Sequence, residues 1–395
     1  MNRPRIALIG AGRRGRAAHL PALVHLRERV DFVAVCDADP EAAEAAANQA
    51  GVRAYTDLRT LLDRERLDAA DVAVPADGHH AICCTLLAAG VACLVETPIA
   101  PTLALADAMI AAAERAGIPL EVAENYYRHP IERAKVAALR AGAIGRVTRL
   151  HRIFQEGGYH GMSLLRTYAG GNPIRVYGLT HETAVLPHTD RMRRHHDTER
   201  WTWGWIDFDN GVGAEMAYSN VIHARSLGRG AVGFTQIDGT EGTIVNATVY
   251  PATPEALAAG GRVEAIEPRI RQREVDGVRV TEAIALPLPS GEIVWENPWA
   301  HLPLTDGQVA VAQEIVSLVE ALESGTPEYG AAAGRCDQEM NLAMLASAQA
   351  NRVPIALPLQ EPLALEREIH ARMERDYGCD PFDAARMVSV FYPRR

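Results

Sequence analysis

Lysine is almost missing from this chain. Lys135 is the only one, and arginine supplies every other fixed side-chain cation. Aromatic residues are scarce too, at 6% of 395 residues. Six cysteines (Cys36, Cys83, Cys84, Cys93, Cys336, Cys379) form no C-x-x-C pair and lie mostly inside apolar runs. A structural zinc or a disulfide framework is not expected, and the thiols read as small core residues. No apolar stretch approaches the roughly 18–20 uninterrupted residues that cross a bilayer, and the first run, Ile6 to Ile9, is too short for a signal-peptide core. The expectation is a cytoplasmic protein with no membrane partner. The formal net charge of -10 lacks the clustered positive charge that phosphate backbones require, so nucleic acid is not an expected partner either. What remains is 48% hydrophobic and 23% charged, a globular balance, in a chain long enough for two domains.

Apolar runs and helical spacings alternate over the first 125 residues. Residues 5–10 end in glycine, and Ala17, Leu20, Leu23 and Leu26 then recur at helical spacing between Arg14 and Arg29. A second run, Asp31–Cys36, precedes an alanine-rich helix opened by Pro40. Asp57 caps another helix before a strand over 71–74. Helices over 79–89 and 102–116 alternate with strands over 91–95 and 118–121. This rhythm predicts an α/β fold: a doubly wound parallel sheet covered on both faces, as a Rossmann domain over 1–125.

Beyond Pro130 the rhythm changes. A helix ending near Gly142 leads into longer alternating segments, with a strand over 147–154, the turn Asp209-Asn210-Gly211 and a strand over 214–218. They predict a second α/β domain over 126–362 with a large, mostly antiparallel open sheet. Trp201, Trp203 and Trp205 share one strand face, expected to pack on a helix or a subunit rather than stack on sugars. Residues 251–300 read as loops and edge strands, 308–322 and 338–349 as helices, and 353–357 as a last strand. Residues 363–395 read as a tail with one helix over 363–377.

Gly10-Ala11-Gly12-Arg13-Arg14-Gly15 joins the first strand to the first helix, with Asp37 ending the second strand. The glycines permit a tight turn, a close pyrophosphate and close helix–strand packing, while the helix N-terminus favours the negative charge. The alternative is a glycine turn that merely packs, with Asp37 capping the helix at Pro40. A carboxylate at Asp37 would bind the adenosine ribose hydroxyls and repel a 2′-phosphate, which favours NAD; Arg13 or Arg14 could reach such a phosphate, so NADP stays open.

Further segments match one pattern: Val74-Pro75 with His79 four residues on, Leu94-Val95-Glu96-Thr97-Pro98, and Val122-Ala123-Glu124-Asn125-Tyr126 before Pro130. Together with the glycine loop they resemble the glucose-fructose oxidoreductase and inositol dehydrogenase family (Gfo/Idh/MocA). The resemblance runs over about 5–170 and resumes around 308–357. It implies an active site between the domains, a homodimer or homotetramer built through the open sheet, and Pro75, Ala76, His79, Glu96, Thr97 and Asn125 beside the cofactor. It also places the catalytic histidine at His160, with Glu156 where the family has an aspartate and Ser163 where it often has a second acid. Two departures stand out: Ala76 replaces the usual asparagine, and Thr97 the usual lysine.

A threonine hydroxyl does not titrate near neutrality, so Thr97 can orient a substrate but cannot serve as an efficient acid or base. An imidazole can, and His160 is the expected proton carrier, with Tyr159 beside it as a donor and Glu96 as a further catalytic or positioning group. The alternative for His160 is a histidine that anchors the following helix. Tyr126, Tyr127 and Arg166 are candidate substrate contacts, the two tyrosines equally readable as core aromatics. His79-His80 and His195-His196 lack ligand spacing, so no metal is expected. Arg191, Arg193 and Arg194 make a basic loop that could admit an anion or touch a neighbouring subunit.

The expected activity is hydride transfer between NAD and a secondary alcohol of a sugar, cyclitol or related polyol. Two alternatives remain from the sequence. One is a retained NAD that oxidises its substrate transiently to allow glycoside hydrolysis, elimination or epimerisation. The other is a non-catalytic NAD-binding sensor.

Overall fold

The structure, a computed structural model, describes residues 3–154, 158–189, 195–219, 234–261 and 263–393. Six strands, β1 (Arg5–Ile9), β2 (Asp31–Cys36), β3 (Arg53–Tyr55), β4 (Ala69–Val72), β5 (Ala92–Glu96) and β6 (Leu120–Ala123), form a parallel sheet ordered β3-β2-β1-β4-β5-β6. The order reverses between β1 and β4, and in such sheets ligands bind outside the carboxyl ends of the strands at that switch point. The first helix differs from its expected single run: a π-type turn, Gly15–His19, precedes helix Leu20–His25. Asp39, not Asp37, caps helix Pro40–Ala50 by accepting from Glu41 and Ala42.

One face of this sheet buries Ile6, Leu8 and Val35 against Leu20 and Leu23, and against Val309, Ile315 and Leu318 of helix Asp306–Ser324. A segment from far along the chain therefore completes the core of the first sheet. The other face, with Ile9, Val72 and Val95, belongs to a core continuous with that of the second sheet.

The second sheet holds β7 (Val147–Phe154), β8 (Pro173–Thr189), β9 (His195–Phe208), β10 (Gly213–Ser219), β11 (Phe234–Gly239), β12 (Gly242–Val245), β13 (Thr248–Pro251) and a last short strand, Ile355–Ala356. Its order is β13-β12-β11-β7-β10-β9-β8 followed by that last strand, all antiparallel except the β7–β10 pair. Helices Gly158–Ala169 and Ala331–Gln349 lie on one face. Gly178 and Gly204 make that approach possible, because a Cβ at either would overlap Met344, its carbonyl oxygen at 1.8 Å or its sulfur at 2.2 Å.

Thr202, Gly204 and Ile206 face these helices, so the intervening tryptophans point the other way. Trp201 and Trp203 stack at 5.4 Å and Trp205 is 38% exposed. The expected burial of this stripe against a helix is not what the fold contains. Residues 269–296, read as loops and edge strands, instead form a separate antiparallel sheet of β14 (Arg269–Val275), β15 (Val278–Leu288) and β16 (Gly291–Glu296). The last short strand is thus β17. The carboxyl-terminal segment adds helix Ala364–Tyr377 and a short helix, Ala384–Met387, the latter packed on helix His79–Ala88 of the first domain.

Candidate functional site

The glycine loop sits where β1 meets its helix. Gly10 has φ 99, a left-handed conformation that side chains rarely adopt, and a Cβ there would stand 2.6 Å from the Ala73 carbonyl. A Cβ at Gly15 would overlap the Gly10 carbonyl at 2.1 Å, so the third glycine lets the helix close on the loop. Asp37 accepts from Ala11 N–H at 2.7 Å with one oxygen and from Asp39 N–H at 2.9 Å with the other. Each carboxylate oxygen has two acceptor sites, so Asp37 can brace the loop and still accept from a hydroxyl. These features suit a dinucleotide: a bare turn for the pyrophosphate, a helix start behind it and a fixed acid at the ribose end. Arg13 is exposed, and Arg14 points toward β5.

At the end of β5, Glu96 is the hub of a buried charge chain. Its Oε1 accepts from Arg14 Nε at 2.5 Å and lies 2.8 Å from His19 Nε2, while His19 Nδ1 lies 2.9 Å from Asp71 Oδ2. Burial alone would strip the proton from His19, but Asp71 and Glu96 outweigh it and raise the imidazole to about 10. Burial likewise works against the Glu96 carboxylate, yet Arg14 and His19 hold it well below its usual range. Its Oε2 accepts Thr97 N–H at 2.9 Å and faces Thr97 Oγ1 at 3.3 Å. Both oxygens are therefore occupied, and Glu96 positions the Thr97 loop rather than carrying a proton.

His79 joins that loop to the one after β4, with its ring nitrogens 3.0 Å from the carbonyls of Pro98 and Val74. Pro75 and Ala76, half-buried, lead into the turn Ala76–Gly78 between them. The residues expected around the cofactor on β1, β2, β4 and β5 therefore converge at the carboxyl edge of the sheet. Asn125, also buried, starts the turn Tyr126–Arg128 just after β6.

His160 lies on helix Gly158–Ala169 with its side chain 24% exposed, and Nδ1 is 3.4 Å from Oε2 of the fully buried Glu124. Oε1 of Glu124 accepts Tyr126 N–H at 3.0 Å, and the Tyr126 ring covers the imidazole at 4.3 Å between centroids. Glu124 thus links the loop after β6 to a helix of the second sheet. The sequence shows Glu124 within a matching segment, yet spacing alone does not reveal that it meets His160. His19 was missed for the same reason. Glu156, the expected carboxylate partner, lies outside the described residues, as do Arg191, Arg193 and Arg194.

Three expected contacts are committed elsewhere. The Tyr159 hydroxyl donates to the Gly334 carbonyl at 3.2 Å, and burial pushes its pKa well above the ordinary value, so it does not act as a tyrosinate. Tyr127 is buried, stacked on Tyr329 at 5.1 Å, and accepts from Arg128 Nε at 2.8 Å. Arg166 forms an ion pair with Asp337 at 2.8 Å and donates to the Tyr329 hydroxyl at 2.6 Å. Lys135 is buried in an ion pair with Glu132 at 2.6 Å, so the only lysine is spent inside the second domain. Behind the site, Glu314 on helix Asp306–Ser324 is fully buried, and neither oxygen has a hydrogen-bond partner among the described residues. Burial pushes its carboxyl up to about 8 despite nearby Arg128 and His19.

Residues 4–124 match a profile described as the oxidoreductase family, NAD-binding Rossmann fold. Among curated proteins, a D-apiose dehydrogenase from Paraburkholderia graminis is 44% identical over 140 residues, 35% of this chain and 37% of the relative. A 1-carboxy-3-chloro-3,4-dihydroxycyclohexa-1,5-diene dehydrogenase from Comamonas testosteroni is 28% identical over 248 residues, 56% of this chain and 59% of the relative. The chain thus spans less than two thirds of the length of these relatives. Among solved structures, a levoglucosan dehydrogenase with NADH and levoglucosan matches with TM-score 0.69 at 20% identity, over 91% of this chain and 100% of that one. An oxidoreductase from Agrobacterium radiobacter, in complex with NAD+, L-tartaric acid and magnesium, matches at 0.65 and 22% identity, over 90% and 98%. At such identities these two likenesses concern the fold.

Proposed function

From a chain whose residues 4–124 match the NAD-binding Rossmann profile of an oxidoreductase family, we propose a Gfo/Idh/MocA-type, NAD-dependent dehydrogenase acting on a secondary alcohol of a sugar, cyclitol or related polyol. The observation that carries this reading is the Glu124–His160 pair at the carboxyl edge of the Rossmann sheet. Bound NAD supplies the hydride acceptor. The protein's own part is to hold the alcohol near His160, which takes the hydroxyl proton as the carbon is oxidised and returns it in reverse. Glu124 fixes the ring orientation and stabilises the imidazolium that forms.

Thr97 is neutral, so it can only orient the substrate oxygen. Arg14 and Glu96 set the charge behind it, and the proton transfer falls to His160. The relatives named above are named as dehydrogenases of D-apiose and of a 3,4-dihydroxylated carboxycyclohexadiene, which supports an alcohol substrate. The protein works as a homodimer or homotetramer in the cytoplasm, its open sheet face with Trp201, Trp203 and Trp205 meeting another copy.

A panel of aldoses, cyclitols and anhydrosugars with NAD tests this, read at 340 nm for NADH and by mass spectrometry for the ketone. NADH and ketone in equal amounts, both lost in His160→Asn with NAD binding kept, is the expected result. Product without net NADH would instead indicate internal redox cycling.

A further inference from the structure

The loops that follow β4 and β5 are held from outside the Rossmann domain. Arg372, on helix Ala364–Tyr377, places its guanidinium fork on Asp77, with Nη1 2.9 Å from Oδ2 and Nη2 3.0 Å from Oδ1. The Tyr377 hydroxyl donates to Asp77 Oδ2 at 2.7 Å. The Tyr392 ring lies so close to Gly78 that a Cβ there would stand 2.8 Å from it. Upstream on the same helix, Glu366 accepts from Leu103 N–H at 2.7 Å, and His370 Nε2 lies 2.7 Å from Thr102 Oγ1. These contacts fall on two places: the turn that continues Pro75 and Ala76, and the end of the loop that begins with Thr97.

His79 connects the two loops through the carbonyls of Val74 and Pro98. Val74 and Ala73 in turn abut Gly10, where a Cβ would stand 3.0 Å from the Val74 side chain. Residues 364–393, Asp77, His79 and the glycine loop therefore make one packed path. Planar two-point pairing of a guanidinium with a carboxylate fixes direction as well as distance. A turn held only by its own short helix would lack that constraint.

We propose that the carboxyl-terminal segment is a clamp that sets affinity for the nicotinamide half of the dinucleotide, with Arg372 as its positioning residue. The inference rests on the NAD site described above. Without the clamp, the turn 75–79 samples conformations that bind poorly, and each binding event must first restore the competent one. The clamp acts on the turn rather than on the proton carrier, so its loss weakens cofactor binding and leaves turnover at saturating NAD close to that of the intact protein.

The test is NADH binding by full-length protein, followed by fluorescence, together with melting temperature and the split between KM for NAD and kcat. Arg372→Gln is expected to weaken NADH binding about tenfold, the scale of one charged hydrogen bond, with Arg372→Lys in between. Arg335→Gln is the control. It breaks an ion pair with Asp107, also in the first domain but away from the turn, and should leave affinity unchanged. If Arg372→Gln fails to fold, Tyr377→Phe decides the matter with an expected loss of about threefold. Variants that melt lower but bind NADH as the wild type does would overturn the clamp. A wild-type protein that binds no NADH would overturn the cofactor reading itself, a result distinct because no variant then differs.

Discussion

Glu124 reaches from the loop after β6 to place Oε2 3.4 Å from Nδ1 of His160, which is carried by a helix of the other sheet. A fully buried carboxylate from one domain thus orients a partly exposed imidazole from the other, and the pairing exists only when the two domains are correctly joined. Proton transfer assisted by a positioned side chain contributes about 10²–10⁴-fold, so His160→Asn should reduce kcat by that range with NADH affinity unchanged. Glu124→Gln keeps the shape but not the charge, and should fall between the two. Steady-state rates and NADH titration on both variants check this.

His19 lies between Asp71 and Glu96 with its side chain fully buried. Removing it leaves two carboxylates facing each other in the interior, and breaking buried pairs costs about 3–5 kcal/mol. His19→Asn should therefore lower denaturant stability by that order even if NAD is supplied. A loss below about 1 kcal/mol, the scale of an exposed pair, would show the chain to be solvated.

Stability should fall on the alkaline side. His19 is raised from 6.5 to about 10, so its contribution is complete below 6.5 and is lost as the pH climbs toward 10. Glu314 is raised from 4.5 to about 8, so between those values the folded state holds a proton that the unfolded chain has released, and stability again decreases as pH rises. Glu314→Gln removes the second contribution. Thermal melts from pH 5 to 10 should decline less steeply in this variant than in the wild type, and parallel curves would contradict the burial of that carboxyl.

The first domain was legible because its parallel strands other than the exposed edge strand β3 are buried on both faces and separated by helices with their own apolar stripes. The need for glycine at 10 and 15 was legible for a different reason, since Gly10 has a left-handed conformation and a side chain at Gly15 would overlap the Gly10 carbonyl. The site was legible only where chemistry is local. Tyr126 and Tyr127 are neighbours in one tight turn, yet one covers His160 and the other enters the core, and no periodicity separates them. Strand β14 is exposed along nearly its whole length, so it carries no apolar alternation to read. The pairing of Arg372 with Asp77 joins residues far apart in the chain, beyond the reach of any spacing argument.

Asp37 divides its oxygens between the Ala11 and Asp39 amides at the mouth of the glycine loop. A 2′-phosphate brought beside that carboxylate meets like charge. Wild-type protein should bind NADH at least about tenfold more tightly than NADPH, equivalent to about 1.4 kcal/mol. Asp37→Ser should narrow the ratio mainly by weakening NADH. Competitive titration of the two cofactors measures both values.

Calorimetric titration of NADH into wild-type protein and into Gly10→Val bears most directly on the account. One site per chain is predicted for the wild type and none for the variant, whose side chain would collide with the Ala73 carbonyl. A wild-type protein that shows no heat of binding and releases no nucleotide on denaturation, or a Gly10→Val protein that binds equally well, would contradict it.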